Sequence, residues 1–287
     1  MKVAVTGSSG FFAKYVIDAL IHHGYDIVGI DRKDGHPNES RFAFERADLT
    51  VMQDALRALD GIEAVIHLAG IPHPLSDPAD DVYKANALGT FVTAWAAGEV
   101  GVKKFIYASS ESVLGTAFHP TKYIPEYFPI DERHPTEPVD PYGISKLAAE
   151  AAVFGAAQHF GFAAAALRMP WIWGTDNAER RELYKGLIAQ YPNWFKNLWA
   201  FIDARDAAQA FVLALQADLE IGVLEKYYIV NDHTWVSPVR SSKSLIEEYF
   251  DGVKVNLDPD SGFSLISNAK AKRELDWKPV HGIESLD

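Results

Sequence analysis

Two residues four positions apart carry the strongest chemical signal in the chain: Tyr142 and Lys146, within Tyr142-Gly143-Ile144-Ser145-Lys146. On a helix, that spacing puts both side chains on one face. A free phenol ionises near about pH 10, too high for a base at neutral pH. A neighbouring ammonium favours the phenolate and lowers that value. A tyrosine poised this way accepts a proton from a substrate hydroxyl. Ser109-Ser110-Glu111-Ser112 adds hydroxyls that can steady the reacting oxygen, and Ser110 is the candidate donor. Taken singly, each feature is ordinary. Tyr-x-x-x-Lys occurs by chance on exposed helices, and serine favours turns.

A second group of residues suits a dinucleotide. Val5-Thr6-Gly7-Ser8-Ser9-Gly10-Phe11-Phe12-Ala13 joins an apolar N-terminal strand to a helix. Gly7 permits a tight turn, Gly10 a close approach to a pyrophosphate, and unpaired N–H groups at the helix start attract the anion. Ala13 stands where a third glycine is usual and is small enough to serve. Gly7, Ser9, Gly10, Phe11 and Phe12 are therefore the candidate pyrophosphate residues. Asp31 closes the second strand, 21 residues after Gly10. A carboxylate there accepts from ribose hydroxyls and repels a 2′-phosphate, which favours NAD over NADP. Arg32 works against this, and Asp31 could simply begin the turn Arg32-Lys33-Asp34-Gly35. Asp48-Leu49 and Leu68-Ala69-Gly70 follow the third and fourth strands and lie beside the glycine turn in a doubly wound sheet. Asp48 is a candidate for the adenine amino group or, equally, a helix cap. Asn86, Ser109, Tyr142, Lys146 and Pro170 complete the candidate cofactor set.

These residues need a frame. Val3–Thr6, Asp26–Ile30, Phe42–Arg46, Ala64–Leu68, Lys104–Ala108 and Ala163–Arg168 read as buried strands. Helical patterns fall at Phe11–His23, Thr50–Leu59, Asp80–Val100 and Tyr142–Phe160. Continuous apolar strands separated by helices predict an α/β fold, a parallel sheet doubly wound by right-handed crossovers. Residues 1–170 then form the dinucleotide-binding domain with the catalytic residues. Residues 171–287 form mainly a smaller substrate lobe, with helices near Arg180–Gln190, Asp203–Gln216 and Lys243–Phe250 and a strand at Lys226–Val230. Two long loops, His73–Asp80 with Ser76 near its middle and Thr116–Asp140, sit at strand ends, where binding sites are built.

Composition narrows the partners. The chain has 287 residues, no cysteine and a formal net charge of −12. Thiolate metal sites and disulfides are impossible, no metal site is expected, and the negative field disfavours nucleic acid and anionic lipid. No stretch reaches the roughly 18 apolar residues of a membrane span. Cytoplasm is the default location.

On these segments, the chain resembles an extended short-chain dehydrogenase/reductase of the NAD-dependent epimerase/dehydratase family. The matching stretches are Thr6–Phe12, Asp31, Asp48-Leu49, His67–Gly70, Asn86–Thr90, Tyr107–Gly115, Pro141–Lys146 and the tail Ile266–Pro279. The resemblance implies NAD as cofactor, Tyr142 as base, Lys146 as its partner and Ser110 as hydroxyl donor. It further implies that Asn86 supports the active-site backbone, that Asp48 reads adenine, that the substrate is sugar-like, and that the protein is a homodimer. His73, Ser110, Glu111, Tyr142, Trp171 and Arg180 are the candidate substrate residues. Two departures bear on the substrate. Trp171 stands where an asparagine near a substrate phosphate is common, and no Arg-Asp pair precedes the helix after Ile202-Asp203. Trp171, Trp173 and Trp199 form either an apolar wall for a sugar ring or core. Ser109-Ser110 with Val113-Leu114-Gly115 also resembles the uronate dehydrogenases, for whose free sugar acids Arg180 or Arg181 would supply a cation. The readings are thus a sugar epimerase or dehydratase, a sugar or sugar-acid dehydrogenase, and a non-catalytic dinucleotide sensor or scaffold. Intact Tyr142, Lys146 and Ser110 oppose the last. Glu111-Ser112, lacking half of the Asp-Glu pair of the dehydratases, makes dehydration the weakest enzymatic reading.

Overall fold

A computed structural model describes residues 1–33, 41–75, 77–256 and 263–286. Asp34, Gly35 and Ser76 lie outside the described residues. The first half alternates strands and helices: β1 Lys2–Thr6, α1 Phe11–His22, β2 Asp26–Asp31, β3 Ala43–Arg46, α2 Met52–Ala58, β4 Ala64–His67, α3 Ala79–Tyr83, α4 Gly89–Glu99, β5 Lys104–Ser110, β6 Tyr127–Phe128, α5 Pro141–Phe160 and β7 Ala163–Met169. Then follow β8 Trp171–Trp173, α6 Ala178–Ile188, β9 Phe201–Asp203, α7 Ala204–Gln216, β10 Leu224–Tyr228, α8 Ser242–Tyr249, β11 Lys254–Val255 and α9 Ala269–Leu275.

Seven strands form one sheet in the order β10-β7-β5-β4-β1-β2-β3, every pairing parallel. Such a sheet must be covered on both faces, which is why β1, β4 and β7 are apolar along most of their length. One face carries α1, α7 and α9, whose Val16, Leu20, Phe211 and Leu275 share a core with Val3, Val5 and Ile106. The other carries α2, α4 and α5, with Ala55, Val92, Ala149 and Val153 against Ala4, Val65 and Phe105. The chain leaves β1 in one direction through β2 and β3 and in the other through β4 and β5. That reversal opens a crevice at the carboxyl ends of β1 and β4.

A third core belongs to a smaller lobe, where Trp173, Trp199, Phe201, Trp235 and Phe250 pack together. Not everything after residue 170 lies in it. The strand read from sequence at Lys226–Val230 as part of the lobe runs over Leu224–Tyr228, pairs with β7 and becomes the seventh strand of the sheet. α7 lies on α1, and Ala271 and Trp277 join the core of that face. The alanines of α7 let it sit close to α1, so the chain enters the lobe, returns to the sheet, and leaves again. Among the described residues, no helix is long and apolar enough to cross a membrane.

Two local features position the site. α5 starts where Asp140 Oδ1 accepts from the N–H groups of Tyr142 and Gly143, at 2.9 Å each, with Pro141 in the first turn. This cap with proline is a strong helix start and puts Tyr142 at its mouth. The helix expected over Asp80–Val100 is interrupted by a π-helical turn at Lys84–Leu88. That extra-wide turn carries Asn86, in keeping with the frequent occurrence of such turns at functional sites.

Candidate active site

Tyr142, Ser110 and Lys146 converge at the ends of β5 and α5, all buried at 5–8% exposure. Gly143 makes the approach of the two elements possible: a Cβ there would lie 2.6 Å from the Ser112 carbonyl oxygen. The Ser110 hydroxyl lies near enough to the Tyr142 phenol to act on its ionisation, and donates to Glu111 Oε2 at 2.8 Å. The Lys146 ammonium donates to the Ala108 carbonyl at 2.8 Å and lies 5.6 Å from the Tyr142 ring centre. Burial raises the phenol above its ordinary range; the Ser110 hydroxyl opposes this, and Glu111 and Asp140 add to it. Burial also lowers Lys146 to about 8, opposed by the Glu150 carboxylate. The phenol therefore needs further positive charge beside it before it can serve as a base near neutrality.

Asn86 ties this cluster to the crevice. Its Oδ1 accepts from the Ile71 N–H at 2.7 Å, and its Nδ2 donates to the Ile71 carbonyl and to Ser145 Oγ, both at 3.0 Å. Ser145 in turn donates to the Tyr142 carbonyl at 2.7 Å. Asn86 thus clamps the loop after β4 to the first turn of α5. Beneath it, buried His67 bridges Thr6 Oγ1 at 2.8 Å and Thr90 Oγ1 at 3.1 Å, held neutral by a burial-lowered pKa of about 3.

A cleft runs over the ends of β1, β2 and β4. Gly7, Ser9, Gly10, Asp31, Arg32, Asp48, Leu49, Leu68, Ala69 and Gly70 line it, as read from sequence. Thr50, Ile71 and Ala85 line it too, without any motif to announce them, as does Gly89 of the stretch Asn86–Thr90. Gly7 has φ +67°, and a Cβ on it would lie 2.8 Å from the Ala69 backbone, so only glycine fits. α1 begins at Gly10 with no side-chain cap, leaving its first amides for an anion. Asp31 accepts from the Ser9 N–H at 3.1 Å and the Lys33 N–H at 3.0 Å, which braces the glycine turn and holds the carboxylate at the cleft wall. Asp48 is neither cap nor free: Oδ1 accepts from the Thr50 N–H at 2.9 Å and hydroxyl at 2.7 Å, bonds that lower its pKa. Uncapped amides, a glycine cradle and a carboxylate at the cleft wall fit a dinucleotide. Lys146 Nζ joins cleft to cluster, lying 3.8 Å from where a Cβ on Gly70 would stand.

Other candidates take different places. The Ser109 hydroxyl turns away from the cleft and donates to Glu150 Oε1 at 2.7 Å, because Glu150, paired with Arg168 at 2.7 Å, sits buried behind β5. The Phe12 ring packs edge-on against Phe211 in the core, leaving only its backbone for an anion. Phe11 is exposed, and the Arg180 guanidinium lies 3.9 Å over its ring. Pro170 is buried between β7 and β8. Trp173 and Trp199 are fully buried, so the lobe core claims them. Trp171 is half-buried and stacks on Trp194 at 5.1 Å. His73 is exposed, its ring edge-on to Phe118 at 5.4 Å. Glu111 lies buried directly behind Ser110, 2.8 Å from its hydroxyl. Arg205, two residues after Asp203 and not flagged by any motif, is committed to it through bonds of 2.8 and 3.0 Å.

A model of the NAD-dependent epimerase/dehydratase family matches residues 3–229. The chain belongs to this family. A putative UDP-glucose 4-epimerase from Methanocaldococcus jannaschii is 27% identical, over 96% of this chain and 93% of its own. A short-chain dehydrogenase/reductase superfamily protein from Agrobacterium tumefaciens, solved with bound NAD, superposes with a TM-score of 0.76 at 20% identity, over 100% and 94% of the two chains. A mutated uronate dehydrogenase superposes at 0.67 and 19% identity, over 99% and 82%. Such structural likenesses speak to fold. As a family member, this epimerase/dehydratase-type protein is an NAD-dependent enzyme.

Proposed function

We propose that this enzyme oxidises a carbinol carbon of a sugar-type substrate, with Tyr142 as base, Ser110 as hydroxyl donor and Lys146 as the supporting cation. The observation that carries the reading is the buried cluster of phenol, hydroxyl and ammonium, with the ammonium beside Gly70 of the dinucleotide cleft. Bound NAD supplies the hydride acceptor and a positive ring. Gly7, Gly10 and the first amides of α1 bind its pyrophosphate, and Asp31 its adenosine ribose. Lys146 holds the nicotinamide ribose and, with the ring, draws the phenol toward phenolate. Tyr142 then takes the carbinol proton while Ser110 donates to the same oxygen, and burial excludes water from the exchange.

A free sugar or sugar acid is the second reading. It is favoured by the Arg205 guanidinium at the start of α7 being bonded to Asp203 and Thr175 rather than left for an anionic substrate group. Free sugars, sugar acids and nucleotide sugars are each incubated with the NAD-loaded enzyme, and NADH and product are followed. Net NADH marks a dehydrogenase, and isomerised product without it an epimerase. Silence across all three classes would sink the sugar reading. Homodimerisation fits the exposed Leu88, Phe91, Ile144 and Phe154 on the outer face around α4 and α5. Sedimentation is expected to give twice the chain mass, and a monomer at working concentration would refute it.

A further inference from the structure

We propose that Glu111 directs the hydroxyl of Ser110: ionised, it captures the Ser110 hydrogen; protonated, it releases that hydrogen toward the Tyr142 oxygen and the carbinol oxygen docked beside it. The inference rests on the reading of Ser110 as donor and Tyr142 as base.

Glu111 opens the short 3-10 turn after β5 and is 6% exposed. Its Oε2 accepts from Ser110 Oγ at 2.8 Å and from Ser112 Oγ at 3.3 Å. Among the described residues, no Lys, Arg or His forms an ion pair with it. The charged or titratable groups that face it are Asp140 and Tyr142, both from the start of α5. Neither offers it a positive charge. Behind the same strand, Glu150 is buried too but gripped on both oxygens by Arg168. A carboxyl denied such a partner in the interior resists ionisation. Burial accordingly raises Glu111 to about 7, against the opposing bonds from Ser110 and Ser112, so both its forms are reached near neutrality.

Ser110 has one hydrogen to give, and its oxygen already accepts from the Ser112 N–H at 3.1 Å. Glu111, Tyr142 and a docked substrate oxygen compete for that hydrogen. Against a carboxylate, a neutral acceptor loses, because charge-assisted bonds are roughly twice as strong. Against a protonated carboxyl the order reverses, since that group donates. The negative charge on Glu111 also pushes the Tyr142 phenol up, so its loss favours the phenolate by a second route.

The two routes separate in a double-mutant cycle. Phenolate absorbance is titrated with alkali in the NAD-saturated protein, and the Tyr142→Phe signal is subtracted to isolate Tyr142. Glu111→Gln is expected to lower the Tyr142 midpoint by about one pH unit. Ser110→Ala should raise it. In the Ser110→Ala background, the Glu111→Gln shift should fall below half its size, since only the through-space part survives. Equal shifts in both backgrounds would overturn the proposal, as would no shift in either. A subtraction that stays flat at every pH strikes the base assignment itself, a different failure. Each variant is checked by thermal melting. Should the glutamine variant not fold, Glu111→Asp, which keeps the charge but shortens its reach, takes its place; a smaller lowering that also depends on Ser110 is then expected, and independence from Ser110 overturns.

Discussion

The carboxyl end of the sheet and the core of the lobe are both densely buried, but different forces hold them. At the sheet end, directed bonds decide position: Asn86 to Ile71 and Ser145, Ser145 to Tyr142, Asp140 to the first turn of α5. In the lobe, ring packing decides it, with Trp173 stacked 4.2 Å from Tyr184 and 4.8 Å from Phe201. Directed bonds fix where one atom points, as chemistry requires. Ring packing fixes volume and tolerates small rotations, so it shapes and stabilises without aiming a proton.

If that contrast holds, side-chain losses in the two regions should register in different measurements. Tyr142→Phe removes one oxygen at the sheet end and should cost turnover on the order of a thousandfold. Its melting temperature and NAD affinity should stay close to those of the parent. Trp173→Ala should do the reverse, lowering unfolding free energy by about 3–5 kcal/mol in denaturant titrations. Substantial loss of stability in the first variant, or none in the second, would break the comparison.

Stability against pH sharpens it further. Glu111 ionises near 4.5 in an unfolded chain and near about 7 in the fold. Its folded form therefore holds a proton over an interval where the unfolded form has lost it. The resulting stability is complete below about 4.5 and is lost as pH rises to about 7, by roughly 3 kcal/mol. Glu111→Gln should flatten that decline in chemical denaturation followed across the interval; an unchanged slope would contradict the burial argument. Smallest is Asp31→Ala. It should weaken NAD about tenfold, as one lost charge-assisted contact implies, with NADP affected far less. Calorimetric titration showing equal losses would remove Asp31 from ribose recognition.

Much of the sheet end was legible because its signals are local. Gly7 and Gly10 follow an apolar strand, Asp31 ends the next, and Tyr142 and Lys146 keep helical spacing. Both strand-end segments line one cleft because parallel crossovers bring strand ends together whatever the intervening loops do. Thr50 and Ala85 carried no such signal, since they meet the cleft only through where the turn before α2 and the π-helical turn before α4 fall. The same holds for Ser109, whose neighbour Ser110 is identical in chemistry. Only the pleat of β5, which turns adjacent side chains to opposite faces, sends one hydroxyl to the side of Tyr142 and Glu111 and the other to Glu150. The strand at Leu224–Tyr228 was visible, two residues late, at Lys226–Val230, but not as part of the sheet, because a pattern of apolar residues does not name its partner.

By itself, the amino-acid order determined which groups are available: a phenol and an ammonium one helical turn apart, a glycine turn opening a helix, and a carboxylate ending the second strand. These depend on neighbours within a few residues, and short-range geometry needs no knowledge of the fold. Tertiary structure alone decided what surrounds each group. It gave Glu150 an arginine and left Glu111 without one, placed Lys146 beside Gly70 of the cleft, and sank Trp173 and Trp199 into the core. Burial and charge act through space over a few ångströms, between residues that the chain holds tens of positions apart, and so they exist only once it has folded.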